Sequence, residues 1–346
     1  MLLLITGTGG LVGSETTLYF LNKGYRIHGI DNESRKKLFG SEADVSKIIE
    51  ELQKNSLYTH HHIDIRNRYV IESLIKNLKP DSIIHCAAQP SHDKAASLPY
   101  VDFDINSVGT LNLLESFRNY CDNKNSIFIN MSTNKVYGDK PNHLGITELE
   151  TRYDFLSPWE YGIDESLTID NCLHSLFGVS KLSADLYVQE YGKYFDLNTV
   201  TFRGGCITGP NHKSVELHGF LSYIIKCLFA NKKYVIHGYK GKQVRDQIHA
   251  YDVATAFDEV IKNPKKGEVY NIGGQYKNAS SILEIIEILH KKTGKKLEFE
   301  INNIPRKGDH KCYYTDMKKF TDHFPNWRMS YKLNDIIDEI INRNYT

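Results

Sequence analysis

The sequence predicts an α/β fold: a doubly wound parallel sheet followed by a smaller mixed α/β lobe. Three observations carry this. Short apolar runs alternate with amphipathic helical stretches through the first half of the chain, the rhythm of strand–helix–strand units. A glycine-rich turn, Gly7-Thr-Gly-Gly10-Leu-Val-Gly13, joins the first apolar run to a helical stretch. After about residue 205 the rhythm breaks, which marks a second lobe.

In chain order, strands are predicted at Leu2–Thr6, Arg26–Ile30, Leu57–Ile63, Ser82–Cys86, Ser126–Met131 and Asn198–Phe202. Helices between them include Gly13–Lys23, Arg68–Leu78 and Val108–Arg118. Later patterns give a helix at Ser280–Lys292 and a terminal one near Leu333–Asn342. The large domain is expected over 1–205, with 246–275 returning to it. The second lobe then comprises 206–245 and 276–346. The polar stretch 139–170 reads as one long loop, of the kind that serves a site.

Net charge is +1, from 43 basic and 42 acidic residues. That balance argues against nucleic acid or an anionic membrane as partner. The six cysteines are scattered, with no C-x-x-C pair, so they are expected to stay reduced. Met1-Leu-Leu-Leu-Ile5 is too short for a signal peptide, and no run approaches the ~18 apolar residues of a membrane span. A cytoplasmic enzyme is expected. His60-His61-His62 invites a metal reading, but alternate strand residues face opposite ways. Three in a row do not share one ion easily, so no metal is assigned.

The glycine turn has a clear chemistry. Gly7 permits the tight turn, Gly10 lets backbone approach a pyrophosphate, and Gly13 lets helix pack on strand. Phosphates would meet the N–H groups at the helix start, around Leu11 and Val12. Asp31, at the end of the second strand, would accept hydrogen bonds from ribose hydroxyls and repel a 2′-phosphate. The cofactor expected is therefore NAD rather than NADP, despite Arg35 nearby. Asn32 and Ser34 share that loop. Asp64-Ile65 fits an adenine edge, and Ala87-Ala88-Gln89 a close pass beside the cofactor.

These segments, with Asn106-x-x-Gly109-Thr110, Val136-Tyr137-Gly138 and Arg245-Asp246, resemble the extended short-chain dehydrogenase/reductase family, whose large domain is a Rossmann fold. Ser132-Thr133-Asn134-Lys135-Val136-Tyr137-Gly138-Asp139, Glu148-x-Glu150-Thr151-Arg152-Tyr153, Gly162-x-Asp164-Glu165-Ser166 and Lys242-Gln243-Val244-Arg245-Asp246 resemble its CDP-tyvelose (CDP-paratose) 2-epimerases. The resemblance implies an NAD-dependent epimerase of a nucleotide-diphosphate sugar, acting by transient oxidation at C2. Hydride would leave a sugar carbon and return to its other face. The related 4,6-dehydratases carry Asp-Glu where this chain has Asn134-Lys135. An amide and an ammonium do not replace the acid and base that elimination of water needs.

By the same resemblance Ser132 lies beside the cofactor. Thr133 hydrogen-bonds the reacting hydroxyl, with Lys135 close to the substrate, and Lys181 holds the nicotinamide ribose. Phe177, one helical turn before Lys181, stands where the family carries a tyrosine whose phenol moves the proton. Three readings stay open: a variant with Phe replacing Tyr, a natural branch with another acid/base, or a protein that binds NAD and sugar nucleotide without turnover. A net oxidoreductase is a further enzymatic alternative. The unusual neighbours Ser175-Leu176 and Gly204-Gly205-Cys206 favour the natural branch. Cys206 is a candidate proton carrier if nearby positive charge lowers its thiol pKa. His92, beside Asp93 on a loop expected to face the sugar, is the other. Arg245 and Arg306 are the expected diphosphate anchors. Glu216–Phe220 and the strand near Tyr234–His237 would frame the nucleobase. A homodimer is expected through the helices Val108–Arg118 and Leu176–Tyr194.

Overall fold

The structure is a computed structural model that describes residues 1–213, 219–306 and 308–345. The chain begins β1 (Leu2–Thr6), α1 (Leu11–Asn22), β2 (Arg26–Ile30), α2 (Ser34–Phe39), α3 (Ser46–Gln53), β3 (Tyr58–His61), α4 (Arg68–Leu78) and β4 (Ser82–His85). Three helices follow, α5 (His92–Ser97), α6 (Pro99–Phe103) and α7 (Gly109–Tyr120), and then β5 (Ile127–Thr133). A small hairpin, β6 (Ile146–Glu148) with β7 (Tyr153–Phe155), precedes α8 (Ser175–Tyr194), β8 (Thr199–Gly204) and β9 (Cys206–Thr208). The rest is α9 (Phe220–Phe229), β10 (Tyr234–His237), β11 (Val244–His249), α10 (Ala250–Lys262), β12 (Glu268–Ile272), β13 (Ala279–Ser281), α11 (Ile282–Thr293), β14 (Phe299–Asn302), β15 (Cys312–Tyr313), α12 (Lys318–His323) and α13 (Leu333–Tyr345).

Seven strands form one sheet in the order β12-β8-β5-β4-β1-β2-β3. Every pairing in it is parallel. Helices cover both faces, so β1 reads as an unbroken apolar run instead of alternating with polar residues. Leu3 and Ile5 enter one core layer with Phe20, Val253 and Phe257. Leu4 enters the other with Ile71, Leu113 and Phe117. Each such side chain, fully buried, contributes about 1.5–3 kcal/mol. Strand order reverses between β1 and β4, and the crevice beyond the carboxyl ends of such strands is where ligands bind in open α/β sheets.

The second lobe has its own core, from α9, β10, α11 and α13: Ile224, Ile236, Ile285, Ile336 and Ile340 are all buried there. A short sheet places β11 between β13 and β15, with β9 pairing the far half of β11. The chain then returns to the large sheet: α10 packs on α1 and β12 joins the free edge of β8.

The segment 139–170 departs from the expected loop. It folds into the β6–β7 hairpin and buries Phe155, Ile163 and Leu167 against Tyr137, Tyr313 and Tyr314. None of its residues lines the cavity described next. Its apolar residues are spent on a contact with β15, remote in sequence.

Candidate active site

A cavity of about 490 Å³ runs from the glycine turn, past the ends of β5 and α8, to β10 and β11 in the second lobe. That is within the usual size range of small-molecule and cofactor sites.

At one end the backbone itself forms the wall. Gly7 has φ +74, and a Cβ there would lie 2.7 Å from the Ala87 nitrogen. A Cβ on Gly13 would come within 2.1 Å of the Gly7 carbonyl oxygen. Both positions exclude any side chain. Gly10 caps α1 without a side chain, so the N–H groups at the helix start face the cavity with Leu11 and Val12. This end fits a dinucleotide: bare backbone donors at a helix N-terminus suit a diphosphate. Asp31 completes it. Its Oδ2 accepts the Gly9 N–H at 2.9 Å and its Oδ1 the Glu33 N–H at 2.8 Å. Each oxygen keeps a lone pair for a ribose hydroxyl. Gly9 was not singled out in the sequence, although a Cβ there would meet Val45 Cγ2 at 2.7 Å.

The neighbouring expectations mostly converge. Asn32, Ser34, Arg35, Asp64, Ile65, Ala87 and Ala88 all line the cavity. Asn32 donates to Asp64 at 3.1 Å. Asp64 is held by Arg66, which keeps its carboxyl below the usual range. Arg35 donates to the Lys213 carbonyl at 2.9 Å. Gln89 is the exception: it is absent from the lining. Its side-chain amide donates to Asp102 at 2.7 Å and to the Ser91 carbonyl at 2.9 Å. Gln89 therefore braces the loop before α5 from inside, because burial obliges its amide to find partners.

Between the two ends lie β5 and α8. Ser132 donates to Asp185 at 2.7 Å, in a buried group with Arg203. Thr133 faces the cavity, its hydroxyl oxygen accepting the Lys135 N–H at 3.3 Å. Lys181 is buried and donates to the Met131 carbonyl at 2.8 Å. Burial brings its amine down to about 8, against the opposing pull of Asp185. Phe177, 6% exposed, lies one turn earlier on the same helical face and lines the cavity. The His92 ring meets it edge-on at 5.0 Å between centroids. His92 Nδ1 is 2.8 Å from Ser175 Oγ, and Asp93 lines the same wall. Ser175 has φ +62, a backbone state rare outside glycine.

At the far end Lys135 donates to the Gly308 carbonyl at 2.9 Å and lies 4.0 Å from Asp309. Burial lowers its amine to about 8, although Asp309 opposes this. Arg245 is ion-paired with Asp309 and donates to the His310 carbonyl at 2.7 Å. Burial alone would raise the Asp309 carboxyl, but Arg245 and Lys135 hold it well below the usual range. Arg245 thus spends part of its guanidinium internally. Arg306, Tyr234, Val235 and His237 also line this end. Of the expected nucleobase segment, 216–218 lie outside the described residues, while Gly219 and Phe220 border the cavity. Asp309, the counter-ion of both Arg245 and Lys135, was missed in the sequence, where only its place after Gly308 was visible.

Cys206 corrects an expectation. It lines the cavity, but burial pushes its thiol up to about 11, outweighing the lowering by Arg245 and Lys135. Of the histidine run, His61 stacks on His28, while one ligand atom from each of His60, His62 and Glu33 falls within 4.8 Å of the others.

A family model described as the NAD dependent epimerase/dehydratase family matches residues 3–273, and the chain belongs to that family. The CDP-paratose 2-epimerase of Salmonella typhi is 36% identical over 330 residues, covering 93% of each chain. The dTDP-glucose 4,6-dehydratase 1 of Escherichia coli strain K12 is 30% identical over 298 residues, 84% of this chain and 77% of that one. Among solved structures, the UDP-glucuronic acid 4-epimerase of Bacillus cereus, in complex with UDP-glucuronic acid and NAD, matches with a TM-score of 0.79 at 26% identity. That match covers 99% of this chain and 98% of the other.

Proposed function

We propose that the protein is an NAD-dependent epimerase acting at C2 of a nucleotide-diphosphate sugar. The observation that carries this is the continuity of one cavity. Glycine turn and Asp31 stand at one end, Thr133 and Lys181 between, and Lys135, Arg245 and Arg306 at the other. The likeness to a CDP-paratose 2-epimerase over most of both chains supports C2 as the reacting carbon. Bound along the glycine turn, NAD would supply the acceptor and donor of a hydride, so that the sugar ends with no net redox change.

The protein's own groups have separate tasks in this reading. Lys181 brings positive charge to the middle of the cavity and orients the cofactor ribose. Thr133 donates a hydrogen bond to the reacting oxygen. Arg306 and Arg245 hold the diphosphate. With no phenol at position 177, His92 takes the sugar proton, and Ser175 fixes which ring nitrogen carries hydrogen. His92 is preferred to Cys206 because it packs on the Phe177 ring itself. Asn134 and Lys135, on the turn after Thr133, favour epimerisation over loss of water.

The test is incubation of the purified protein with CDP-, UDP-, GDP- and ADP-sugars carrying deuterium at single ring carbons. The expected result is a C2 epimer that keeps its deuterium, without free NADH. Release of NADH with a keto sugar would make the protein a net oxidoreductase. Binding with no product, and no transient reduced nicotinamide with any sugar, would leave a binding protein, the reading that Phe177 favours.

A further inference from the structure

We propose that Glu33, His60 and His62 form a site for a divalent ion of the zinc class, beside the loop that carries Asp31. Strand alternation in β3 sends His60 to one face and His61 to the other, where His61 Nε2 lies 2.8 Å from His28 Nδ1; His62, the residue after β3, brings its ring beside His60. Glu33 reaches the same face from the connection between β2 and α2. It holds φ +53, a conformation fixed by its N–H bond to Asp31.

The distances suit an ion. Glu33 Oε1 and His62 Nδ1 are 3.5 Å apart. Two ligand atoms on a tetrahedral ion with ~2.1 Å bonds stand about 3.4 Å apart. All three ligand atoms lie within 4.8 Å of one another, and the His62 side chain, 65% exposed, has room to close the remainder. His60 is already arranged as a ligand. Its Nδ1 is 3.1 Å from the Tyr58 hydroxyl, which lies 2.9 Å from Thr8 Oγ1. A hydrogen bond to one ring nitrogen that leaves the other for the ion is the usual support of a metal-bound histidine. The other nitrogen, Nε2, is sealed from solvent and has no hydrogen-bond partner among the described residues. A buried polar atom left so is costly, and an ion would satisfy it. Two imidazoles and one carboxylate match zinc-class preferences, with a fourth position left for water.

One consequence rests on the cofactor reading above: an ion on Glu33 would stiffen the loop that presents Asp31. The ion site itself does not depend on that reading. The test uses the full chain, stripped with a chelator and titrated with Co²⁺, then with Zn²⁺ against a chromophoric chelator. One equivalent of Co²⁺ should bind with visible absorption bands that Zn²⁺ abolishes. His60→Ala, His62→Ala and Glu33→Gln should each weaken Zn²⁺ binding at least about tenfold, with His61→Ala unchanged. His62 is exposed, so its variant keeps the fold and the test intact. No saturable one-equivalent binding overturns the site. So does binding that His62→Ala leaves unchanged, or that His61→Ala removes.

Discussion

The chemistry turns on which side chain at the middle of the cavity carries a proton. His92→Ala is expected to lower kcat by about 10²–10⁴-fold with a small change in KM, whereas Cys206→Ala should keep kcat within a few-fold. Steady-state kinetics on the epimerised sugar distinguish the two. Lys135 offers a prediction with a sign. Its amine is held at about 8 against an ordinary 10.5, so burial penalises its charged form by about 3 kcal/mol. Below pH 8 it is protonated both folded and unfolded, and the penalty is fully present. From pH 8 to 10.5 the folded state sheds the proton first, and the penalty fades. Lys135→Met also removes the Gly308 and Asp309 contacts, so the expected reading is relative: its melting temperature minus that of the parent should fall from pH 7 to pH 10.5, while substrate binding weakens. Melting curves at several pH values check it. The sequence placed Cys206 and Lys135 near the site. It could not show their burial, which comes from contacts with β11 and with residues 308–309, remote in sequence. For that reason Asp309 was overlooked.

At the scale of elements, the glycine turn makes the sharpest claim. Gly13→Ala should push α1 off β1, since its Cβ would stand 2.1 Å from the Gly7 oxygen. Dinucleotide affinity should fall by at least about tenfold, a cost of about 1.4 kcal/mol or more, with a loss of stability. Gly24 is the contrast: φ is +78 but a Cβ there meets nothing within 4 Å. Gly24→Ala should cost only the about 1–2 kcal/mol of a left-handed residue. Fluorescence titration with NAD and thermal melts separate the two. Elements with a local signature were legible. Leu2–Thr6, Arg26–Ile30 and Arg68–Leu78 have the bounds that their periodicity predicts. The segment 139–170 was not, because what orders it is packing on Tyr313 and Tyr314, far away in sequence.

At the scale of the molecule, the doubly wound order followed from the strand–helix rhythm, while the pairing of β9, β11, β13 and β15 did not. Strands of two or three residues, such as β9, β13 and β15, carry too little pattern to declare partners. The outer surface of α8 bears Leu176, Val179, Leu186 and Tyr187, each more than 40% exposed, and Tyr100 on α6 is 85% exposed. Exposed apolar side chains grouped on one helix suit an association surface. We expect a homodimer through it. Val179→Glu with Tyr187→Glu should yield monomers by light scattering, with the melting curve little changed.

The late arrival of β12 also sets an order of events during synthesis. β8 pairs with β5 on one side and with β12 on the other, and the second partner emerges only after α9 to α10 have been made. A nascent chain ending near residue 265 would hold six of the seven strands and present β8 as an open edge, a template for strand addition by another chain. Truncations there should aggregate, while the full chain, with β8 paired to β12, should stay monodisperse.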